Sequence, residues 1–122
     1  GSINLHCSLL PKFGGLMPSF WTLFHDEKFT GATVHILDEN IDTGNIIAQK
    51  STEISDSDTI TSIILRTKEM GGILMLETIR RLLTTNDIKM ISKSQNNHDR
   101  TYFSWPSSKE IKLFKKKGKF LI

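Results

Sequence analysis

The stretch from Thr59 to Leu83 constrains the rest of the chain more than any other. Ile60, Ile63, Ile64, Ile73, Leu74, Leu76, Leu82 and Leu83 recur at the spacing of a helix face. A helix of that length runs about 37 Å, and its apolar stripe needs a broad apolar partner. Ser55 to Asp58 offers capping side chains just ahead of it. Gly71-Gly72 in its middle costs helix propensity and points to a kink or a close crossing with a sheet. The partner has to come from the short β-prone runs that precede it. These are Ile3–Leu5, Ala32–Leu37 opened by Thr30-Gly31, and Asn45–Lys50. Strands before a long helix give an α/β fold.

The other segments fill in that frame. Pro18 to His25 reads as a short helix, with Pro18 in the first turn and Phe20, Leu23 and Phe24 on one face. Trp21 lies beside that stripe, and His25 falls near the helix end with no Cys or His at metal-ligand spacing. Asn86-Asp87 turns the chain into Ile88–Ser92, read as a strand, and 93–100 reads as a polar loop. Ser107-Ser108-Lys109-Glu110 is a capping box that opens a basic helix, which Gly118 would end. No internal repeat or linker divides the 122 residues, so we expect one domain over 1–122, with 88–122 as a short basic closing segment.

Charge is distributed unevenly. Residues 1–87 carry 7 Lys/Arg against 11 Asp/Glu, whereas 88–122 carry 9 against 2, giving balances of −4 and +7. A basic tail of this kind can meet RNA or a phosphorylated substrate, and more commonly it is a solvated helix face. Apolar residues at 38% and charged residues at 24% describe an ordinary globular composition. No apolar run approaches bilayer length, and the single cysteine, Cys7, fits a reducing compartment. The expectation is a cytoplasmic protein that does not enter membranes.

Two places carry candidate chemistry. Side chains two apart on a strand share a side, so Asn4 and His6 emerge together where Ile3–Leu5 gives way to a loop holding Pro11, Gly14 and Gly15. Carbonyl transfer needs such a pair, a donor for developing negative charge and a group that moves protons near neutral pH. An isolated Asn-x-His is more commonly structural, with the amide capping a turn and the imidazole satisfied in the core. The second place is Asp38-Glu39-Asn40-Ile41-Asp42-Thr43-Gly44 between two strands. The turn at Thr43-Gly44 fixes the direction of Asp42, and burial of Ile41 would keep the loop from being floppy.

Taken together, Asn-x-His-x-Ser-Leu-Leu-Pro-x-x-x-Gly from Asn4, then Trp21, then Thr33-Val34-His35, then Asp-Glu-x-Ile-Asp-Thr-Gly resembles the formyltransferase family. The resemblance covers about residues 3–83 and implies the second half of a Rossmann-type catalytic domain, a mixed sheet with flanking helices. It implies a catalytic trio of Asn4, His6 and Asp42, with Asp38, Glu39, Asn40 and Ile41 helping to wall a folate pocket. Ser8, Gly14 and Gly15 would shape the loop under the substrate. The implied reaction moves a formyl group from 10-formyltetrahydrofolate to a primary amine, without a metal. Asn4, and His6 when protonated, would donate hydrogen bonds to the oxyanion, and Asp42 would orient His6 or accept the amine's proton. The tail is too short for an RNA-binding domain, which favours a small amine or amino sugar over methionyl-tRNA.

This sequence departs from the family pattern in two ways. Cys7 stands where the family has proline, which loosens the backbone without removing a catalytic group. The family also places a complete βα half before the Asn-x-His strand. Without it the sheet would expose an edge, so the chain alone is expected to be a poor enzyme that can form a homodimer through that edge. The competing reading is a non-catalytic α/β module that binds nucleic acid or a protein partner through its basic tail.

Overall fold

The computed structural model describes residues 1–85 and 87–122, with the side chains of Lys89 and Met90 left aside. Its centre is a three-stranded sheet in the order β1 (Ile3–His6), β3 (Phe29–Ile36), β4 (Ile46–Glu53), antiparallel throughout. Asn4 lies opposite His35 and His6 opposite Thr33. β1 pairs on one side only among the described residues. β2 (Gly14–Gly15) and β5 (Tyr102–Phe103) form a separate parallel pair.

Alternation along β3 divides its side chains between two environments. Ala32 and Val34 join Ile47 and Leu74 in one apolar core beneath α2 (Ile60–Leu83). Thr33 and His35, equally buried, face the other way toward the loop after β1. There the Thr33 hydroxyl donates to the Ser8 carbonyl and accepts from Leu10 N–H and the Gln49 amide.

α2 begins at a capping box in which Thr59 and Ser62 satisfy each other's backbone N–H groups. Its buried stripe is Ile60, Ile63, Thr67, Gly71, Leu74 and Thr78. That stripe corrects the expected apolar set, because Ile73, Leu76 and Leu83 are exposed. Threonine serves in their place because Thr67 and Thr78 return their hydroxyls to the carbonyls of Ile63 and Leu74. Gly71 marks the expected close crossing, since a Cβ there would stand 2.9 Å from the Leu5 side chain. Asp58 does not cap α2. It takes a two-pronged hydrogen bond from Arg66 at 2.8 and 2.9 Å. The Arg66 guanidinium is the main reason its carboxyl sits far below the usual range.

A second core gathers Phe13, Phe20, Trp21, Leu23, Ile60, Ile63 and Phe114. Here α1 (Pro18–Phe24) meets α2 and α3 (Ser108–Lys116), and Phe114 stacks on Phe20 with ring centres 4.7 Å apart. The capping box at Ser107 and Glu110 opens α3, and Gly118 at φ +80 follows its end. Residues 101–104 are stitched to the loop after β1. Gly14 N–H donates to the Thr101 carbonyl, Leu16 N–H to the Phe103 carbonyl, and Trp21 Nε1 to the Ser104 carbonyl.

The strand expected over Ile88–Ser92 is instead a 3-10 turn over Ile88–Ile91, and Asn86 of the expected turn lies outside the described residues. Three residues apart on such a turn, Ile88 and Ile91 both reach the core under α2, whereas a strand would send them to opposite faces. No helix among the described residues is long and apolar enough to cross a membrane.

Candidate active site around Asp42

Asp42 is held in the left-handed region at φ +57, a conformation that aspartate tolerates better than most residues. Its carboxylate points into the protein toward the ends of β1 and β3. Oδ2 accepts the Gly15 N–H at 2.9 Å and lies 3.5 Å from His6 Nδ1. Oδ1 lies 3.5 Å from His35 Nε2, and Asn4 Nδ2 stands 3.4 Å from that same nitrogen. Asn4, His6 and Asp42 therefore meet in space although 36 residues separate His6 from Asp42 in the chain. The antiparallel register of β1 on β3 brings them together.

Each imidazole is fixed through its second nitrogen. His6 Nε2 donates to the Phe13 carbonyl at 2.8 Å, leaving Nδ1 toward Asp42. His35 Nδ1 donates to the Ile36 carbonyl at 3.1 Å. Its Nε2 then has two roles, accepting from the Asn4 amide when unprotonated and donating to Asp42 when protonated. Burial pulls the His35 pKa down, but the Asp42 carboxylate and the Ile36 carbonyl outweigh it and raise the value above the ordinary 6.5. Burial pushes the Asp42 carboxyl up. Hydrogen bonds from His35 and Gly15 and the charge of His6 prevail, so it stays below 3.8.

In this geometry both ring nitrogens of His6 face protein acceptors, Nε2 the Phe13 carbonyl and Nδ1 the Asp42 carboxylate. Asn4 is the member whose amide retains donor capacity. Ser8 is fully buried and donates to the Lys12 and Phe13 carbonyls, so it shapes the loop from beneath. Gly14 and Gly15 hold the loop's backbone against β5. With Gly15 at φ +92, a Cβ would stand 2.2 Å from the Phe103 carbonyl oxygen.

The acidic loop is ordered by different means from those expected. Ile41 is 60% exposed and anchors nothing. Asp38 instead accepts from Asn40 N–H and the Thr43 hydroxyl, and the Gln95 amide donates to the carbonyls of Asp42 and Gly44. Asp38, Glu39, Asn40 and Ile41 lie exposed along the loop, outside the cluster centred on the Asp42 carboxylate.

Sequence reasoning missed His35 and Gln95. His35 entered only as part of the Thr33-Val34-His35 run, and its partner became evident only with the β1–β3 register. Gln95 sat in a polar loop that carried no motif. Among the described residues, no group of three or more His, Cys, Asp or Glu side chains is arranged to hold a metal ion.

A family profile described as formyl transferase matches residues 1–79. The chain is 44% identical over 82 residues to the methionyl-tRNA formyltransferase of Thermodesulfovibrio yellowstonii, covering 67% of this chain and 27% of that protein. Against the methionyl-tRNA formyltransferase of Clostridium perfringens strain 13 it is 36% identical over 111 residues, covering 91% and 35%. Among solved structures, the N-formyltransferase of Helicobacter canadensis, in complex with folinic acid and dTDP-3-aminofucose, superposes with a TM-score of 0.77. That match has 33% identity and covers 84% of this chain and 37% of the other. Glycinamide ribonucleotide transformylase 1 of Symbiobacterium toebii gives a TM-score of 0.62 at 35% identity, covering 64% and 37%. The chain spans about a third of the length of these relatives. With a profile match over more than half its residues, and with these relatives in sequence and fold, the chain belongs to the formyl transferase family.

Proposed function

We propose that this chain forms the proton-handling half of a site that transfers a formyl group from 10-formyltetrahydrofolate to a primary amine. The observation that carries the reading is the convergence of His6 and His35 on the partly buried Asp42 carboxylate, with the Asn4 amide against His35. Asp42 is held ionised and aimed, so it can accept the proton that the amine must shed as its nitrogen bonds to the formyl carbon. Asn4 Nδ2 is the available donor to negative charge developing on the formyl oxygen. His6, locked between Phe13 and Asp42, is a positioning residue that holds the carboxylate's direction. His35 balances Asn4 against Asp42 through one nitrogen.

The exposed surface fits a folate. Leu37 and Ile41 are 49% and 60% exposed beside the acidic loop, offering apolar contact to a flat heterocycle. The folate supplies the formyl group, and Asp38, Glu39, Asn40 and Ile41 would flank it. For the acceptor we favour a small amine or amino sugar. The N-formyltransferase of Helicobacter canadensis, solved with dTDP-3-aminofucose, matches 84% of the chain against 64% for the glycinamide ribonucleotide enzyme. A binding module working through the basic tail is the weaker reading, because Lys117 and Lys119 are turned onto Asp26 at 3.0 and 2.9 Å.

The test is formyl transfer by the full-length protein to a panel of primary amines, followed by loss of tetrahydrofolate-bound formyl. Transfer to at least one amine that falls by two or more orders of magnitude in Asp42→Asn is expected. Equal rates in Asp42→Asn and the wild type would refute the assignment. The 122-residue chain alone should be slow, given the share of its relatives that it spans, and any homodimer formed through the open edge of β1 would show in sedimentation.

A further inference from the structure

The outer face of α2 carries large apolar side chains that no described residue covers. Leu65, Leu76 and Leu83 are 65%, 58% and 81% exposed. With Gly72 they form one strip, within about 40° of each other at about 100° per residue. The strip lies on the far side of α2 from the stripe that meets the sheet, and it runs for about 27 Å. A continuous apolar strip of that length marks an interaction surface more often than a free one. Gly72 points the same way. Its neighbour Gly71 is required where α2 crosses Leu5, but a Cβ at Gly72 would meet no atom within 4 Å. Packing within the chain thus gives no reason for a residue that weakens a helix relative to alanine. A close approach from outside does.

The strip is also symmetric along the helix. Leu65, Gly72, Leu76 and Leu83 are spaced by 7, 4 and 7 residues, the same in either direction about position 74. Laid antiparallel on a copy of itself, Leu65 meets Leu83 of the second copy, and Leu76 sits over Gly72 of the second copy. Glu69 and Arg80 stand on one flank of the strip, about 40° and 60° round the helix from Leu65. They lie 5 residues before and 6 after position 74, so the same arrangement sets each Glu69 beside Arg80 of the other copy. Neither side chain has an ion-pair partner among the described residues.

We propose that a second copy of this chain docks on the strip, pairing the two α2 helices antiparallel about a twofold axis near Leu74. A twofold dimer needs a surface complementary to itself, because every contact occurs twice. The palindromic spacing supplies that complementarity in shape, and Glu69 with Arg80 supplies it in charge. An unrelated partner has no need of a spacing that reads the same backwards, and a lipid surface would call for a basic flank rather than one of mixed sign. One helix per copy makes a small interface, so the dimer is reversible and dissociates at about micromolar concentration. The contact is independent of the chemistry assigned to Asp42, and it leaves the open edge of β1 uncovered.

Sedimentation equilibrium of the full-length protein over a concentration series tests this. Glu69→Arg and Arg80→Glu should each weaken the dimer about tenfold, since the twofold applies every change twice. The protein carrying both reversals should regain wild-type association. Leu76→Lys should abolish the dimer. Gly72→Gln should weaken it while raising the Tm of the monomer, because the new side chain has open space on its own helix and a better helix propensity. Circular dichroism confirms that each variant is folded. A wild type that stays monomeric up to about 100 μM would overturn the proposal, and would leave the strip to a different partner or another segment of a longer chain. A dimer that survives Leu76→Lys would overturn it too, moving the contact to another surface such as the β1 edge. So would a double reversal that fails to recover what the single changes lose.

Discussion

Replacing His35 with leucine isolates the least anticipated element of the site. His35 is 1% exposed and touches Asp42 Oδ1 at 3.5 Å, Asn4 Nδ2 at 3.4 Å and the Ile36 carbonyl at 3.1 Å. These separations lie at the long end for hydrogen bonds, so each is worth about 1 kcal/mol rather than the 1.5–3 kcal/mol of a close charge-assisted bond. Asp42 keeps Gly15 N–H and His6, which limits the cost of its lost partner. The expected destabilisation of His35→Leu is about 2–4 kcal/mol, or roughly 8–16 °C in Tm for a chain of this size. The pH dependence is the sharper signature. Because the folded-state pKa of His35 is raised, its contribution is complete below about 6.5 and is lost as pH rises through the raised value. Asp42 is depressed, so its contribution is present above about 3.8 and is lost as pH falls through its folded value. The stability gap between wild type and His35→Leu should therefore be widest between those limits and narrow at pH 9.5. Urea unfolding across that range measures it. A gap that is the same at pH 6 and pH 9.5, or one below 0.5 kcal/mol at pH 6, would refute the linkage between His35 and Asp42.

Other perturbations address separate parts of the molecule. Asn4→Ala should lower kcat for formyl transfer by about 10²–10³ while leaving the folate KM within a few-fold, checked by steady-state kinetics. Phe114→Ala removes a fully buried ring stacked on Phe20 and should cost about 3–5 kcal/mol in chemical denaturation. Asp58→Asn should cost about 1–2 kcal/mol, discounted because the Arg66 side chain is 36% exposed. Since the Asp58 pKa is depressed, that cost should be present at pH 7 and disappear as pH falls well below 3.8.

The three strands of the main sheet, the three α-helices and the α/β class could be read from local spacing, because each is dictated by nearby residues. Asn4, His6 and Asp42 were legible for a different reason, as parts of a recognisable order of residues along the chain. What escaped were features created by pairing. His35 gained its role from standing opposite Asn4 across two strands, and no short window contains both residues. Ile41 was expected to anchor its loop because isoleucine favours burial. The loop is instead held by Asp38 from within and by Gln95 from a segment 53 residues beyond Asp42. Along α2, threonines with internally satisfied hydroxyls occupy sheet-facing positions that a hydropathy pattern assigns to larger aliphatic residues. Ile88 and Ile91 carry strand propensity, yet the spacing of the core they fill selects a helical turn.

The stitching of residues 101–104 onto the loop after β1 bears on how the protein is made. Gly15, whose N–H aims the Asp42 carboxylate, is fixed from behind by Phe103, and Phe13 by the Thr101 hydroxyl. These contacts join residues 88 apart in sequence, so closing them carries a large loop entropy and comes late in folding. During synthesis β1, β3 and β4 can assemble under α2 while the nascent chain still lacks residues 101–104. The Gly15 loop would then remain slack, and Asp42 unaimed, until residues 101–104 have emerged. Order around the Asp42 carboxylate should therefore arrive in one late step, after β1, β3, β4 and α2 are already in place.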